Sequence, residues 1–337
     1  MDAVNHQIRL ANRPVGLCQP SDWKFTTEPV ADPADGQVAV RIRYVSLDPA
    51  MRGWMNEGRS YIAPVRIGDV MRAGAAGEVI ASRHPAVAVG DQVTGMLGAQ
   101  EYAVVDGAAV IKVDTALAPL PVYLNTLGMP GMTAYFGLLD VGRPQEGETV
   151  VVSGAAGAVG GLVGQIAKIK GCRAIGIAGG PEKCRHVVEE LGFDAAIDYK
   201  GQPVPKALHE QCPEGIDVYF DNVGGPILDA ALANLARNAR VVICGAISQY
   251  NATDGMKGPA NYMSLLVNHA SMTGFVIFHY ADRMAEGVRE MGRWYAEGRL
   301  TSVEDIAAGG IAAFPDTLLR LFRGENTGKL VLEISPS

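Results

Sequence analysis

Apolar and polar positions along the 337-residue chain fall into two textures. From about residue 5 to 125, short β-branched runs at 37–47, 77–82, 92–96 and 101–105 alternate with Gly, Pro and Asp punctuation. That pattern predicts an all-β, barrel-like domain. From about residue 126, near-continuous apolar runs of strand length alternate with helical stretches. A strand covered on both faces is apolar throughout rather than at every second position. The runs 149–153, 173–178, 195–199, 216–221, 239–244 and 272–278 are therefore expected as six parallel strands. Helices are expected at 158–170, 182–191 and 227–236, stopping in or near Gly171, Gly192 and Asn238. Right-handed crossovers then give an α/β, doubly wound sheet. Beyond it the pattern predicts a longer helix at 282–297, the stretch 306–314, a helix near 316–323 and a last strand at 329–334 returned to the first domain. The expected division is 1–125 completed by 306–337, and 126–305.

The strongest chemical signal lies at the end of the 149–153 run, where Gly154-x-x-Gly157-x-x-Gly160 leads directly into a helix beginning near Ala158. Glycine at 157 removes the Cβ that would hold main-chain amides away from a pyrophosphate, and glycine at 160 lets helix and strand approach. The unsatisfied amides of a helix N-terminus then face the anion. Strand, turn and helix in this order predict a dinucleotide site built from Gly154, Ala155, Gly157, Ala158, Val159 and Gly160. The nicotinamide type is read about 20 residues on, where an Asp or Glu would accept from the ribose diol. That place reads Ala178-Gly179-Gly180, with Glu182-Lys183 next. Gly179 and Gly180 leave room for a 2′-phosphate and Lys183 supplies a cation, so NADP(H) is expected.

Composition narrows the function classes. Hydrophobic residues make up 48% and charged residues 19%, a balance for a compact core rather than a disordered chain. The formal charge of −7 offers no basic field for nucleic acid or an anionic membrane. The amino-terminal residues lack a basic region followed by an apolar one, and no later apolar run reaches spanning length, so a cytoplasmic location is expected. Five scattered cysteines show neither C-x-x-C pairing nor zinc-ribbon spacing, and are expected as reduced structural thiols.

Several longer motifs carry a resemblance. They are Tyr44-Val45-Ser46-Leu47-Asp48-Pro49-x-Met51-Arg52, Gly128-Met129-Pro130-Gly131-Met132-Thr133-Ala134-Tyr135, Asp221-Asn222-Val223-Gly224-Gly225, the segment from Cys244 to Asn251, and Glu325-Asn326-Thr327-Gly328-Lys329-Leu330. With the glycine turn and Val89-Gly90-Asp91-Gln92-Val93, the chain resembles, over nearly its whole length, the medium-chain dehydrogenase/reductase superfamily. Within it, the chain looks like the zinc-free group of leukotriene B4 12-hydroxydehydrogenase or prostaglandin reductase, plant alkenal double-bond reductases and bacterial curcumin reductase. Zinc-dependent relatives carry Gly-His-Glu in the first domain and a four-cysteine lobe. The corresponding region here reads Gly68-Asp69-Val70-Met71-Arg72, and the six histidines are dispersed, so no metal site is expected.

The resemblance implies a GroES-like, mainly β catalytic domain beside a Rossmann NADP(H)-binding domain, in a homodimer joined through the sixth strand. It implies hydride transfer to the β-carbon of a small hydrophobic α,β-unsaturated aldehyde or ketone, leaving an enolate to be protonated. A tyrosine at the position of Tyr250 would polarise the carbonyl, and Tyr61 would line the substrate cleft. Lys183 and Tyr199 would face the adenosine phosphate. Asn222 and the loop holding Cys244, Ala246, Ile247, Ser248 and Tyr250 would face the ribose, Phe275, Val276 and Ile277 the nicotinamide through their main chain, and Asn326 the far side of the cofactor. Two other readings stay open: a quinone oxidoreductase on the same fold, and a protein that binds NADPH for redox sensing without turnover.

Overall fold

The structure is a computed structural model and describes residues 3–334. The chain divides into two compact units, one running to Leu124 and resuming at Glu304, the other spanning Asn125–Val303. Along the first unit lie β1 (Val4–Leu10), β2 (Trp23–Pro29), β3 (Gln37–Ser46), a short α1 (Ala50–Trp54), β4 (Ala75–Ser82), β5 (Gln92–Gly95), β6 (Tyr102–Asp106) and β7 (Val110–Lys112). The second unit opens with α2 (Met129–Phe136), which runs into a π-helical turn over Gly137–Gly142. It continues through β8 (Thr149–Ser153), α3 (Ala158–Ile169), β9 (Arg173–Ala178), α4 (Pro181–Glu189), β10 (Ala195–Asp198) and α5 (Val204–Gln211). It ends with β11 (Ile216–Asp221), α6 (Gly225–Leu232), β12 (Leu235–Ile243), α7 (Met263–Val267), β13 (Ser271–Gly274) and α8 (Met284–Ala296). The chain then returns to the first unit as β14 (Glu304–Ala307), α9 (Phe314–Arg323) and β15 (Lys329–Glu333).

In the second unit the strand order is β10-β9-β8-β11-β12-β13, all parallel. Residues 150–153, 174–178 and 218–221 are buried without alternation, as a sheet clothed on both faces requires. The order reverses between β8 and β11, so right-handed crossovers carry the chain away from these neighbours onto opposite faces. A crevice opens at the carboxyl ends of that pair. This is a Rossmann sheet, and the first unit is a mainly β, GroES-like fold.

Three of the six expected strands, 149–153, 173–178 and 216–221, have the expected limits, and the departures have local causes. β12 starts at Leu235 rather than 239, and α6 accordingly stops at Leu232 rather than 236. Asn238 adopts a left-handed φ of 63°, but inside β12 rather than as a helix stop. The register against β11 shifts there, so the residue marks a bulge. β13 ends at Gly274, and Phe275–Ile277 is not strand. The Phe275 ring turns inward, edge to face with Phe220 at 6.3 Å, over Gly137, where a Cβ would collide with it. Helices α1, α2, α5 and α7 fall outside the expected set; α5 is short and polar on one face, with only Val204, Ala207 and Leu208 buried. Among the described residues, no helix is long and apolar enough to cross a membrane.

The first unit's larger sheet has the order β14-β15-β3-β4-β5-β7, with β6 also on β3. β15 is antiparallel to β3, and a buried ion pair pins the contact. Lys329, 1% exposed, donates from Nζ to the Leu47 carbonyl at 2.7 Å and to Asp48 Oδ1 at 2.5 Å. Ser46 Oγ donates to the other carboxylate oxygen at 2.5 Å. Burial pushes the Lys329 pKa below its usual value while Asp48 pulls it back. Removing one partner of such a pair costs about 3–5 kcal/mol, because the other charge is left buried. Lys329→Met should therefore lower the urea unfolding midpoint sharply, and adding Asp48→Asn should recover part of the loss. A single variant as stable as the parent would contradict this role.

Candidate active site

The crevice is built by backbone turns before any side chain enters it. After β8, Gly154 takes φ +64°, and the Gly157 amide closes onto the Gly154 carbonyl at 2.9 Å. Gly157 caps α3 in an extended conformation. A Cβ on Gly157 would lie 3.2 Å from the Gly154 carbonyl oxygen, and one on Gly160 would collide with it. The third glycine therefore lets the helix close on the turn itself, rather than on the strand as expected from the pattern. Ala155 is fully buried, with its amide bonded to the Ile177 carbonyl at 3.1 Å. The first amides of α3, at Ala158, Val159 and Gly160, have no intrahelical acceptor by helix geometry. The cradle fits a pyrophosphate.

At the end of β9, Gly180 (φ +99°) caps α4 and Pro181 opens it. The Tyr199 ring lies across Gly179, where a Cβ would come within 2.8 Å of it. Lys200 Nζ stands 5.9 Å from the centre of that ring. Lys183 is half-buried in the first turn of α4. A carboxylate from the next strand reaches this turn: Asp198 accepts from the Gly180 amide at 2.7 Å and the Lys200 amide at 2.9 Å. Those bonds hold its pKa below the ordinary value, so Asp198 shapes the glycine turn as an anion. The sequence signal was an Asp ending the third strand, and it is read only when the strand order is known.

Two loops interlock at the ends of β11 and β12. Asn222 Nδ2 donates to the Ser153 carbonyl at 2.8 Å, tying the Asn222 turn to the glycine turn. The amides of Ile247 and Ser248 donate to the carbonyls of Asn222 and Val223 at 3.2 Å each, and Ser248 Oγ donates to Val223 O at 2.6 Å. The Ala246 amide donates to Tyr250 Oη at 3.1 Å. Glycine at 245 is required beneath that hydroxyl, because a Cβ there would lie 2.8 Å from it. Burial pushes the Cys244 thiol up to about 12.

Tyr61 and Asn326 belong to the first unit. Tyr61 is exposed on the 56–67 loop and accepts from Trp54 Nε1 at 3.1 Å. The Arg72 guanidinium lies 5.7 Å from the centre of the Trp54 ring and donates to the Ala63 carbonyl at 2.9 Å, bracing the same loop. Asn326 Nδ2 donates to Gly328 O at 2.9 Å. The expected residues from Gly154 to Ile277 lie in the second unit, and Tyr61 and Asn326 lie in the first. Among the described residues, no group of three or more His, Cys, Asp or Glu is arranged to hold a metal ion.

Residues 6–113 match the family described as the N-terminal domain of oxidoreductase, and residues 158–293 match the one described as zinc-binding dehydrogenase. The chain is 43% identical to the NADPH-dependent curcumin reductase of Escherichia coli, over 98% of this chain and 97% of that one. It is 38% identical to the NADP(+)-dependent 2-alkenal reductase of Nicotiana tabacum, over 99% and 98% of the two chains. The crystal structure of CurA from Vibrio vulnificus in complex with NADPH superposes with a TM-score of 0.93 at 42% identity, covering 98% of this chain and all of that one. The chain therefore belongs to the medium-chain dehydrogenase/reductase superfamily, in the group that holds the prostaglandin, alkenal and curcumin reductases.

Proposed function

We propose that this protein is an NADP(H)-dependent reductase of the carbon–carbon double bond of α,β-unsaturated aldehydes and ketones, working without zinc. Supporting the cofactor are the glycine cradle, the Gly179–Gly180 turn with Lys183 and Tyr199 beside it, and the NADPH held by the CurA relative. Supporting the reaction is the likeness to relatives named as curcumin and 2-alkenal reductases. The observation that carries the reading is the Tyr250 hydroxyl, held as acceptor by the Ala246 amide at the end of the interlocked loops.

When bound, the reduced nicotinamide supplies a hydride to the β-carbon. The protein's part is to bind, orient and stabilise charge. The α3 amides and the glycine cradle take the pyrophosphate. Lys183 meets the 2′-phosphate, and Tyr199 packs beside it. Asn222 and the segment 244–248 hold the ribose region, and the main chain of Phe275, Val276 and Ile277 borders the nicotinamide. With its oxygen fixed by the Ala246 amide, the Tyr250 hydroxyl uses its hydrogen as a donor to the carbonyl oxygen, where charge grows as the enolate forms. The same proton is placed for delivery as that charge collapses.

A homodimer joined through β13 is part of the proposal. That edge strand is exposed along its length, and Leu266 and Val267 beside it are exposed apolar residues. Its mass in solution, about twice the 35.5 kDa chain, would be the sign.

Loss of NADPH absorbance with a small enal, an aryl enone and a quinone tests the reaction. Turnover of enals or enones well above that of the quinone is expected; quinone preference, or binding without turnover, would overturn it. Lys183→Ala should weaken NADPH by about ten- to a hundredfold and leave NADH nearly untouched, since a charge-assisted contact contributes about 1.5–3 kcal/mol. Equal loss for both cofactors would remove Lys183 from the 2′-phosphate site.

A further inference from the structure

β8 and β11 end side by side in two polar residues, Ser153 and Asp221, that are 0% and 1% exposed. Ser153 Oγ donates to Asp221 Oδ1 at 2.9 Å and accepts from the Asn222 amide at 2.9 Å. Tyr219 Oη donates to the same carboxylate oxygen at 3.1 Å. The Val223 amide reaches Oδ1 at 3.1 Å, and the Gly224 amide reaches Oδ1 and Oδ2 at 3.0 and 3.1 Å. The main-chain carbonyl of Asp221 accepts from the amides of Cys244 and Gly245 at 2.9 and 3.1 Å. One residue thus fixes the Asn222 turn through its side chain and the start of the Tyr250 loop through its backbone.

An acid at this depth is costly to keep, and burial raises the Asp221 pKa while the Gly224 and Val223 amides pull it down. A carboxylate brings lone pairs and no hydrogens to the two amides and two hydroxyls that converge on it. An asparagine keeping its oxygen at the Oδ1 place would turn amide hydrogens toward the Gly224 amide, where Oδ2 now accepts. The turn held in this way is left-handed at Gly224 and Gly225, with φ of +70° and +57°, and its carbonyls at 222 and 223 receive the Ile247 and Ser248 amides described above. Displacing the turn therefore moves the segment that carries the Ala246 amide, on which Tyr250 rests.

We propose that Asp221, backed by Ser153, is a positioning residue for the reduction: it sets the Asn222 turn and, through the amides that turn receives, the place of the Tyr250 hydroxyl. The inference rests on the role of Tyr250 proposed above. It goes beyond a scaffold because its effect is routed through one catalytic group, and groups acting as a unit lose their separate effects when the unit is already broken.

A double-mutant cycle reads this directly. Tyr250→Phe alone should lower kcat by about tenfold. Asp221→Asn should also lower kcat by about tenfold with Tyr250 present, but by only about twofold or less in the Tyr250→Phe background. Ser153→Ala keeps the carboxylate and is the variant to use if Asp221→Asn does not fold; it should show a smaller loss with the same non-additivity. Rates are normalised to the fraction that binds NADPH, and deuterated NADPH is used alongside, so that a loss of folded enzyme does not count as slower chemistry. An undiminished isotope effect on the normalised kcat supports the proposal. Equal factors in both backgrounds, or normalised rates matching the parent, would overturn it while leaving the Tyr250 assignment intact. Unchanged kcat in Tyr250→Phe would overturn both.

Discussion

Two parallel neighbours, β8 and β11, leave the sheet in opposite directions, and the gap this creates must be closed by polar atoms without being filled. The hydrogen bond from Ser153 to Asp221 closes its floor. Above that bond, each strand continues into a glycine-containing turn, Gly154–Gly160 on one side and Asn222–Gly225 on the other, and Asn222 ties the two through the Ser153 carbonyl. The loop after β12 then hangs on the second turn by its own amides. Shape in this crevice is therefore a main-chain property, and side chains such as Tyr250 inherit their place from it.

The same economy recurs at the edge of the sheet and in the first unit. Asp198 accepts from the Gly180 and Lys200 amides, which holds the glycine turn in shape. Lys329 and Asp48 fix the returning strand β15 against β3. Gly137, Gly179 and Gly245 each give way to an aromatic residue, respectively Phe275, Tyr199 and Tyr250. In all three cases the missing Cβ sets where a ring can lie.

Much of this was legible in the chain because it is local. An uninterrupted apolar run followed by glycines at three-residue spacing is strand, turn and helix by sterics alone, and β8, β9 and β11 have the expected limits. The absence of an acid at 178–180 was equally readable. What was not legible depends on partners distant in sequence. β12 begins early because a bulge at Asn238 lets it extend against β11, whereas by itself Asn238 reads as a helix stop. Phe275 leaves the strand pattern because a π-helical turn more than a hundred residues earlier presents Gly137 to it. Asp221 and Ser153 stood in the motifs as polar ends of apolar runs, but their meaning required knowing that β8 and β11 are neighbours.

In the proposed reaction, hydride goes to carbon–carbon unsaturation while the protein manages charge on the carbonyl oxygen. That course is tested most directly by following the atom itself. An aryl enone would be reduced with NADPH carrying deuterium at its transferable position, and the label located in the product by NMR. The expected result is a saturated ketone with deuterium on the β-carbon and a solvent-derived hydrogen on the α-carbon. Deuterium on the carbonyl carbon of an allylic alcohol would contradict it.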